Sequence, residues 1–526
     1  MRNPGADLRQ TPVPTGALPG WDGRGGSGRL VVMKQMTKRL ALIAAASGVV
    51  LGALTPLHAS AAGRPSETLK WTKCEGSGLD PRQRCTTVSV PMDYADPRGP
   101  KIDVAVSRVP AGDPARRRGA LLMIPGGPGG SGLDDPSQKG RRLPEAVRDR
   151  YDLIGIAPRG NAPSTAVDCG WEHADLGATT LRPWPAADGS VDGNMAAARR
   201  MSDACARNGG ELVRHISTRN NARDIDRVRA ALGEHRLSLW GESYGTYVGA
   251  AYSTMFPART DRVVLDSNLD PDPVLAERAF LAGFETGVED VFPEFAKWAS
   301  RPGNPDRLAR TAAQVRPLFL RLAARLDREP IPWPGANPQE LNGNVLRQTM
   351  MGDFYDPDDW PDLAKLVLAA RQGTVPPAPA SPPEDVLRNV YSVAGATICN
   401  DVAWPRKASE YRKAVDASRA AYPLTAGMPR NAMLCAAWPY RPQEAPVRVT
   451  ERGPANILMV QNERDMATPL SGARKLRAAL GHRAVMVVND ATGHDAYLAN
   501  GTACGDATVS RFLATGERPG TDVTCQ

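Results

Sequence analysis

Apolar residues along the chain gather in short runs of strand length separated by polar, Gly- and Pro-rich stretches. Thr86–Val90 and Ile102–Val109 flank a Pro/Asp/Gly turn region and read as an antiparallel hairpin. Leu121–Ile124 is wholly apolar and runs into Pro125-Gly126-Gly127-Pro128-Gly129-Gly130-Ser131-Gly132, and Tyr151–Ile156 follows as a second strand. In Asn220–Leu232 the spacing changes to helical, with Ile225, Val228 and Leu232 on one face. Leu237–Trp240 and Val263–Leu265 then return to strand. Strands alternating with helices over such distances predict an α/β fold with a mostly parallel sheet flanked by helices.

From residue 270 to 444 the pattern becomes helical and Pro-punctuated, with Trp298, Trp333, Trp360, Trp404 and Trp438 scattered through it. Strand pattern resumes at Ile457–Val460 and Ala484–Val488. The division expected is therefore a sheet domain in two parts, 62–269 and 445–526, with a helical cap inserted at 270–444. Gly373–Glu384, rich in Pro and Ala, is expected to be an exposed loop.

Residues 1–61 read as an N-terminal extension and secretory signal peptide. Lys34, Lys38 and Arg39 precede an apolar run from Leu40 to Leu54, and Ala59-Ser60-Ala61 follows as a small-x-small cleavage site. The run is short for a membrane span, which needs about 20 apolar residues. The expected product is a secreted protein without a stable membrane span, translated from Met33 or Met36 and beginning near Ala62 when mature.

Composition adds two restrictions. Of the formal net charge of +8 over 526 residues, residues 1–61 hold +5, from seven basic and two acidic side chains. The rest of the chain holds only +3 and has no long basic block, so nucleic acid is not an expected partner. All eight cysteines lie beyond the expected cleavage site, which points to disulfides formed after export. Pairing in sequence order, Cys74–Cys85, Cys169–Cys205, Cys399–Cys435 and Cys504–Cys525, closes the shortest loops. No C-x-x-C or His at ligand spacing suggests a metal, and no cofactor is called for.

Gly241-Glu242-Ser243-Tyr244-Gly245 fits the G-x-S-x-G nucleophile elbow, with a strand before it and helix-compatible sequence after. Ser243 is the candidate nucleophile. His494, in the loop after the Ala484–Val488 strand, is the candidate base, because His235 and His482 precede their strands and lie at the wrong end of the sheet. Asp465, after Ile457–Val460, is the candidate acid, with Glu463 and Asp266 as rivals and Thr468 as a possible hydrogen-bond donor to it. The order Ser, Asp, His is that of an α/β-hydrolase. The oxyanion donors expected are the backbone N–H of Tyr244 and one from the Gly126–Gly130 turn, Gly127 being the choice.

These segments together resemble the secreted tripeptidyl aminopeptidases of actinobacteria, α/β-hydrolases related to prolyl aminopeptidases. The match runs in order through Val90-Pro91-Met92-Asp93-Tyr94, Pro125–Gly132, Ala222-Arg223-Asp224-Ile225-Asp226 and Ser243-Tyr244-Gly245-Thr246-Tyr247. It continues through Cys399-Asn400-Asp401-Val402-Ala403-Trp404-Pro405, Cys435-Ala436-Ala437-Trp438-Pro439, Glu463-Arg464-Asp465 and Asp522-Val523-Thr524-Cys525. The resemblance implies Ser243, Asp465 and His494 as the triad. It also implies a peptidase that releases tripeptides from the N-termini of peptides. Ala157 stands where relatives place Asp, a difference expected to alter a supporting loop. Recognition of a free amine would require an acidic group, for which Glu242 and Asp401 are candidates. A Glu directly before the nucleophile also resembles serine carboxypeptidases, and the same triad would serve an esterase or a hydrolase of small N-acyl amides such as an acylated antibiotic.

Overall fold

The computed structural model describes residues 69–272 and 276–526, so the signal-peptide segment lies outside the described residues. Ten strands form the main sheet. Three begin it as an antiparallel meander: β1 (Thr72–Lys73), β2 (Arg84–Pro91) and β3 (Lys101–Val109). β4 (Gly119–Ile124), β5 (Tyr151–Ile156), β6 (Leu237–Glu242) and β7 (Thr260–Asp266) supply the centre. A small separate ribbon, β8 (Ile331–Pro332) and β9 (Glu340–Leu341), precedes the last three main strands. These are β10 (Ile457–Arg464), β11 (Ala484–Thr492) and β12 (Val523–Cys525). The spatial order is β1-β2-β3-β5-β4-β6-β7-β10-β11-β12, with every pair from β5/β4 to β11/β12 parallel. Every residue of β4, β5 and β6 is buried, as parallel strands covered on both faces must be. This is the α/β-hydrolase fold.

Helices cover the faces. Short α1 (Asp135–Gln138) and α2 (Glu145–Arg148) lie between β4 and β5, and α3 (Asp192–Asn208) and α4 (Thr218–Ala231) between β5 and β6. α5 (Tyr244–Met255) follows β6 directly. Between β7 and β10 the chain is mainly helical: α6 (Ala276–Trp298), α7 (Ala312–Leu326), α8 (Gly343–Asp353), α9 (Trp360–Arg371), α10 (Glu384–Asp401) and α11 (Ala408–Ala421). Phe292, Phe295, Phe319, Phe354, Trp298 and Trp360 from α6 to α9 pack ring against ring at 5.5–6.1 Å, in an apolar cluster continuous with the core of the sheet domain. α12 (Leu470–Leu480) and α13 (Ala503–Thr515) complete the sheet domain. Among the described residues no helix is long and apolar enough to cross a membrane.

All eight cysteines are joined, Cys74–Cys85, Cys169–Cys205, Cys399–Cys435 and Cys504–Cys525, which is the sequential pairing. Cys399–Cys435 ties the end of α10 to the segment leading back to the sheet, and Cys504–Cys525 ties α13 to the edge strand β12.

Two of the sequence motifs converge on one buried ion pair. Arg159 donates to both carboxylate oxygens of Asp224, at 2.7 and 2.6 Å, and to the carbonyls of Pro91, Met92 and His215. Tyr94 donates to Asp224 Oδ1 at 2.7 Å. The Arg159 and Asp224 side chains are 0% and 1% exposed. Removing one partner strands the other charge in the interior, where that costs about 3–5 kcal/mol. Asp224→Ala is therefore expected to lower the unfolding free energy, measured by urea denaturation, by that much. Asp362→Ala, which breaks the exposed Lys365–Asp362 pair, is expected to leave stability almost unchanged. Ala157, where an Asp was expected from relatives, is buried, and its N–H and C=O bond to Ala105 and to the Ser164 hydroxyl.

Candidate active site

β6 ends at Glu242 and α5 begins at Tyr244, so Ser243 takes the whole reversal between them with φ 54° and ψ −124°. Positive φ at a residue with a Cβ costs on the order of 1–3 kcal/mol and persists only where neighbours enforce it. They do so here. The Ser243 N–H donates to the Asp266 carbonyl at 2.9 Å, and the Ser243 carbonyl accepts from the Thr246 N–H at 2.9 Å and its hydroxyl at 2.6 Å. Gly245 brings α5 against the end of β4 so closely that a Cβ there would lie 2.3 Å from the Ile124 carbonyl oxygen. Ser243 thus stands at the first turn of a helix whose dipole favours negative charge.

Beyond β10, Asp465 is fully buried. Oδ1 accepts from the N–H groups of Ala467 and Thr468, both at 2.9 Å, and Oδ2 accepts the Thr468 hydroxyl at 2.8 Å. His494 follows β11, and its Nδ1 lies 3.0 and 2.9 Å from the two Asp465 oxygens. The imidazole is held from outside the sheet as well. Its backbone N–H donates to the Tyr355 carbonyl at 2.7 Å, and the Tyr355 ring meets it edge-on at 5.1 Å. Tyr355 belongs to the helical segment between β7 and β10, so that segment touches His494 directly. Nothing in the spacing of the chain brings Tyr355 here.

Burial on its own weakens the imidazole as a base, but the charges of Asp465 and Asp495 and the Asp465 hydrogen bond outweigh it. Together they push the His494 pKa up to about 10. On the Nε2 side, Asp495 Oδ1 lies 3.6 Å away. Among the described residues no hydrogen bond joins the Ser243 hydroxyl to the ring.

Asp266 links the two loops. Its carbonyl takes the Ser243 N–H, and its carboxylate oxygens accept the N–H groups of Ala496 and Tyr497 at 2.8 and 3.0 Å. The Asp495 N–H donates to the adjacent Ser267 hydroxyl at 2.9 Å. Asp266, one of the rivals for the acid, is thus committed to backbone donors. Burial, reinforced by Asp495, raises its pKa to about 7. The other rival, Glu463, is half-exposed and ion-paired with Arg464 at 3.0 Å.

The turn after β4 lies against the serine. A Cβ on Gly126 would sit 3.1 Å from Ser243 Cβ and 3.6 Å from its Oγ, so the absence of a side chain at Gly126 keeps the space beside the hydroxyl open. Gly127, next along, has φ +119°, which leaves its position to glycine. α10 leans on the same turn: a Cβ on Gly129 would meet the Val390 carbonyl at 2.5 Å and Ala394 Cβ at 3.1 Å. Tyr244 opens α5, so its N–H is outside the helix's own hydrogen-bond ladder.

Both carboxylates considered for amine recognition have internal partners. Glu242 is 6% exposed and ion-pairs with Lys139, which also lies 3.5 Å from Asp135. Burial opposes the Lys139 charge, yet Glu242 and Asp135 more than offset it and hold the ammonium protonated. Asp401 accepts the Thr218 N–H at 2.9 Å and the Thr218 hydroxyl, at the first turn of α4. The remaining histidines lie elsewhere. His173 is exposed and paired with Glu384, and His215 is buried, with its carbonyl on Arg159.

A family model described as TAP-like protein matches residues 422–525. The chain is similar to a tripeptidyl aminopeptidase of Streptomyces lividans, 30% identical over 474 residues that cover 87% of this chain and 86% of that one. It is similar to the serine protease Hip1 of Mycobacterium tuberculosis, 28% identical with 94% and 98% of the two chains covered. It is also similar to a carboxylesterase B of Mycobacterium tuberculosis, 29% identical with 86% and 89% covered.

Proposed function

The chain belongs to the tripeptidyl aminopeptidase family, and from that premise we propose that it is a secreted serine aminopeptidase releasing tripeptides from peptide N-termini. Ser243, His494 and Asp465 are its triad in this reading. The observation that carries it is the buried Asp465–His494 pair, whose histidine loop is tied through Asp266 to the strained Ser243 turn. Ser243 Oγ attacks the scissile carbonyl as His494 Nε2 takes its proton. The oxyanion forms against the N–H groups of Tyr244 and Gly127. His494 then returns the proton to the departing amine, and water releases the tripeptide by the same steps in reverse. Asp465 keeps Nδ1 protonated and Nε2 available, and stabilises the imidazolium between those steps.

The helical segment 270–444 is read as a cap over this centre, supported by the Tyr355 contact to His494. Four disulfides support assembly in an oxidising compartment, with the N-terminal signal as the route. The carboxypeptidase-like reading loses its distinguishing group, because the Glu242 carboxylate is taken up by Lys139.

The imidazole accepts a proton only when neutral, so kcat/KM should rise with pH through a value well above the ordinary 6.5 of histidine. Asp495→Asn removes one of the charges that raise this pKa and keeps a residue type tolerant of its φ of 62°. Its pH–rate profile is expected to shift to lower pH. An unmoved limb would show that Asp495 does not act on the base.

A substrate panel tests the function: a tripeptidyl-p-nitroanilide with a free amine, its N-acetylated form, aminoacyl and dipeptidyl analogues, and a short-chain p-nitrophenyl ester. Turnover confined to the free-amine tripeptide is the expected result. Turnover of the blocked amide or ester alone would replace peptide trimming with small-molecule amide or ester hydrolysis on the same triad.

A further inference from the structure

Arg182 lies in the stretch between β5 and α3 and departs from the pairing seen around it. In the helical segment Arg316 pairs with Glu289, Arg347 with Asp327 and Arg430 with Glu285. Among the described residues no carboxylate pairs with Arg182. Its guanidinium sits 4.6 Å from the centre of the Phe284 ring and 5.6 Å from that of Tyr355, and one N–H donates to the Tyr355 hydroxyl at 2.6 Å. A guanidinium has five N–H donors, so most of its hydrogen-bonding capacity remains.

Its position is set by Tyr355. Tyr355 is the residue whose ring and carbonyl hold His494, which places Arg182 one tyrosine away from the base. Arg182 therefore lies on the His494 side of the centre, with its planar face held against two aromatic rings.

We propose that Arg182 is the carboxylate-binding residue of a subsite on the leaving-group side, favouring short peptides whose C-terminal carboxylate follows close behind the cleaved bond. The inference rests on the aminopeptidase reading and adds to it a substrate class. The substrate's N-terminal ammonium carries the wrong sign for Arg182, which leaves the other end of the peptide. His494 hands its proton to the departing amine, so the group reached through Tyr355 is the departing fragment. A fork pre-set on two rings matches a carboxylate in two parallel hydrogen bonds and loses little freedom on binding it.

The test compares kcat/KM for tetra- and pentapeptides as free acids and as C-terminal amides, in the wild type, Arg182→Ala and Arg182→Lys. Each acid and amide pair undergoes the same chemistry, so their ratio is insensitive to any disturbance of His494 through Tyr355. The wild type should prefer the acid by about 10- to 100-fold, the range of a hydrogen bond to a charged group. Arg182→Ala should bring the ratio close to one, and Arg182→Lys should keep part of it. A wild-type ratio near one, or a preference that survives Arg182→Ala, overturns the assignment while leaving the aminopeptidase intact. Failure to turn over a free-amine tripeptidyl-p-nitroanilide overturns the aminopeptidase reading, and the subsite with it.

Discussion

Ser243→Ala is expected to lower kcat by roughly a million-fold, the loss seen when a serine nucleophile acting as part of a unit is removed. The fold should be unaffected. The backbone bonds that enforce the Ser243 turn, to Asp266 and Thr246, do not use the hydroxyl, and alanine at φ 54° bears nearly the same steric strain as serine. The variant should match the wild type in urea midpoint and in KM for a tripeptidyl-p-nitroanilide. Residual turnover above about one part in a thousand would mean that another group attacks the carbonyl.

Asp465→Asn should cost about 10⁴-fold in kcat. An amide in place of this carboxylate would present N–H to His494 Nδ1 and favour the tautomer with its proton on Nε2, where the Ser243 proton has to go. The contrast with Asp266→Asn makes the prediction specific. Asp266 accepts two backbone N–H groups from the His494 loop, so an amide there leaves a buried donor unpaired and should cost about 1–3 kcal/mol of stability. Its effect on kcat should be much smaller than that of Asp465→Asn and should come from a displaced His494. Glu463→Gln, at a half-exposed ion pair, should be close to silent in both measurements. A loss of 10⁴ at Asp266 or Glu463 with little change at Asp465 would reassign the acid.

The parts of this arrangement legible in the chain were those set by local pattern. β5 begins and ends where its apolar run does, and β4, β6, β10 and β11 extend theirs by a few residues into Gly, Glu and Asn-containing ends that periodicity does not register. β12 escaped notice because three residues, paired only at the sheet edge, carry no periodic signal. The glycines around Ser243 and the loop positions of Asp465 and His494 could be read because strand-end chemistry follows from chain order. What chain order does not contain is the pairing of buried charges. Lys139 lies 103 residues from Glu242, and the neighbouring helix α4 claims Asp401, so neither carboxylate could be known as engaged until the fold brought those partners in. The Pro91–Tyr94 and Ala222–Asp226 motifs were visible as motifs, while Arg159 was not. Their common purpose, the Arg159–Asp224 pair, exists only where three separate segments meet. Tyr355 and Arg182 are still less visible, since irregular connections deliver both and no periodicity constrains them.

Reaction of the folded, disulfide-bonded protein with a fluorophosphonate probe, followed by digestion and mapping of the adduct, tests the central assignment most directly. The account predicts a single stoichiometric adduct on Ser243, formed faster as pH rises through the His494 titration and nearly abolished in rate by Asp465→Asn. An adduct on a different residue, or none on protein that still cleaves the tripeptidyl-p-nitroanilide, would contradict it.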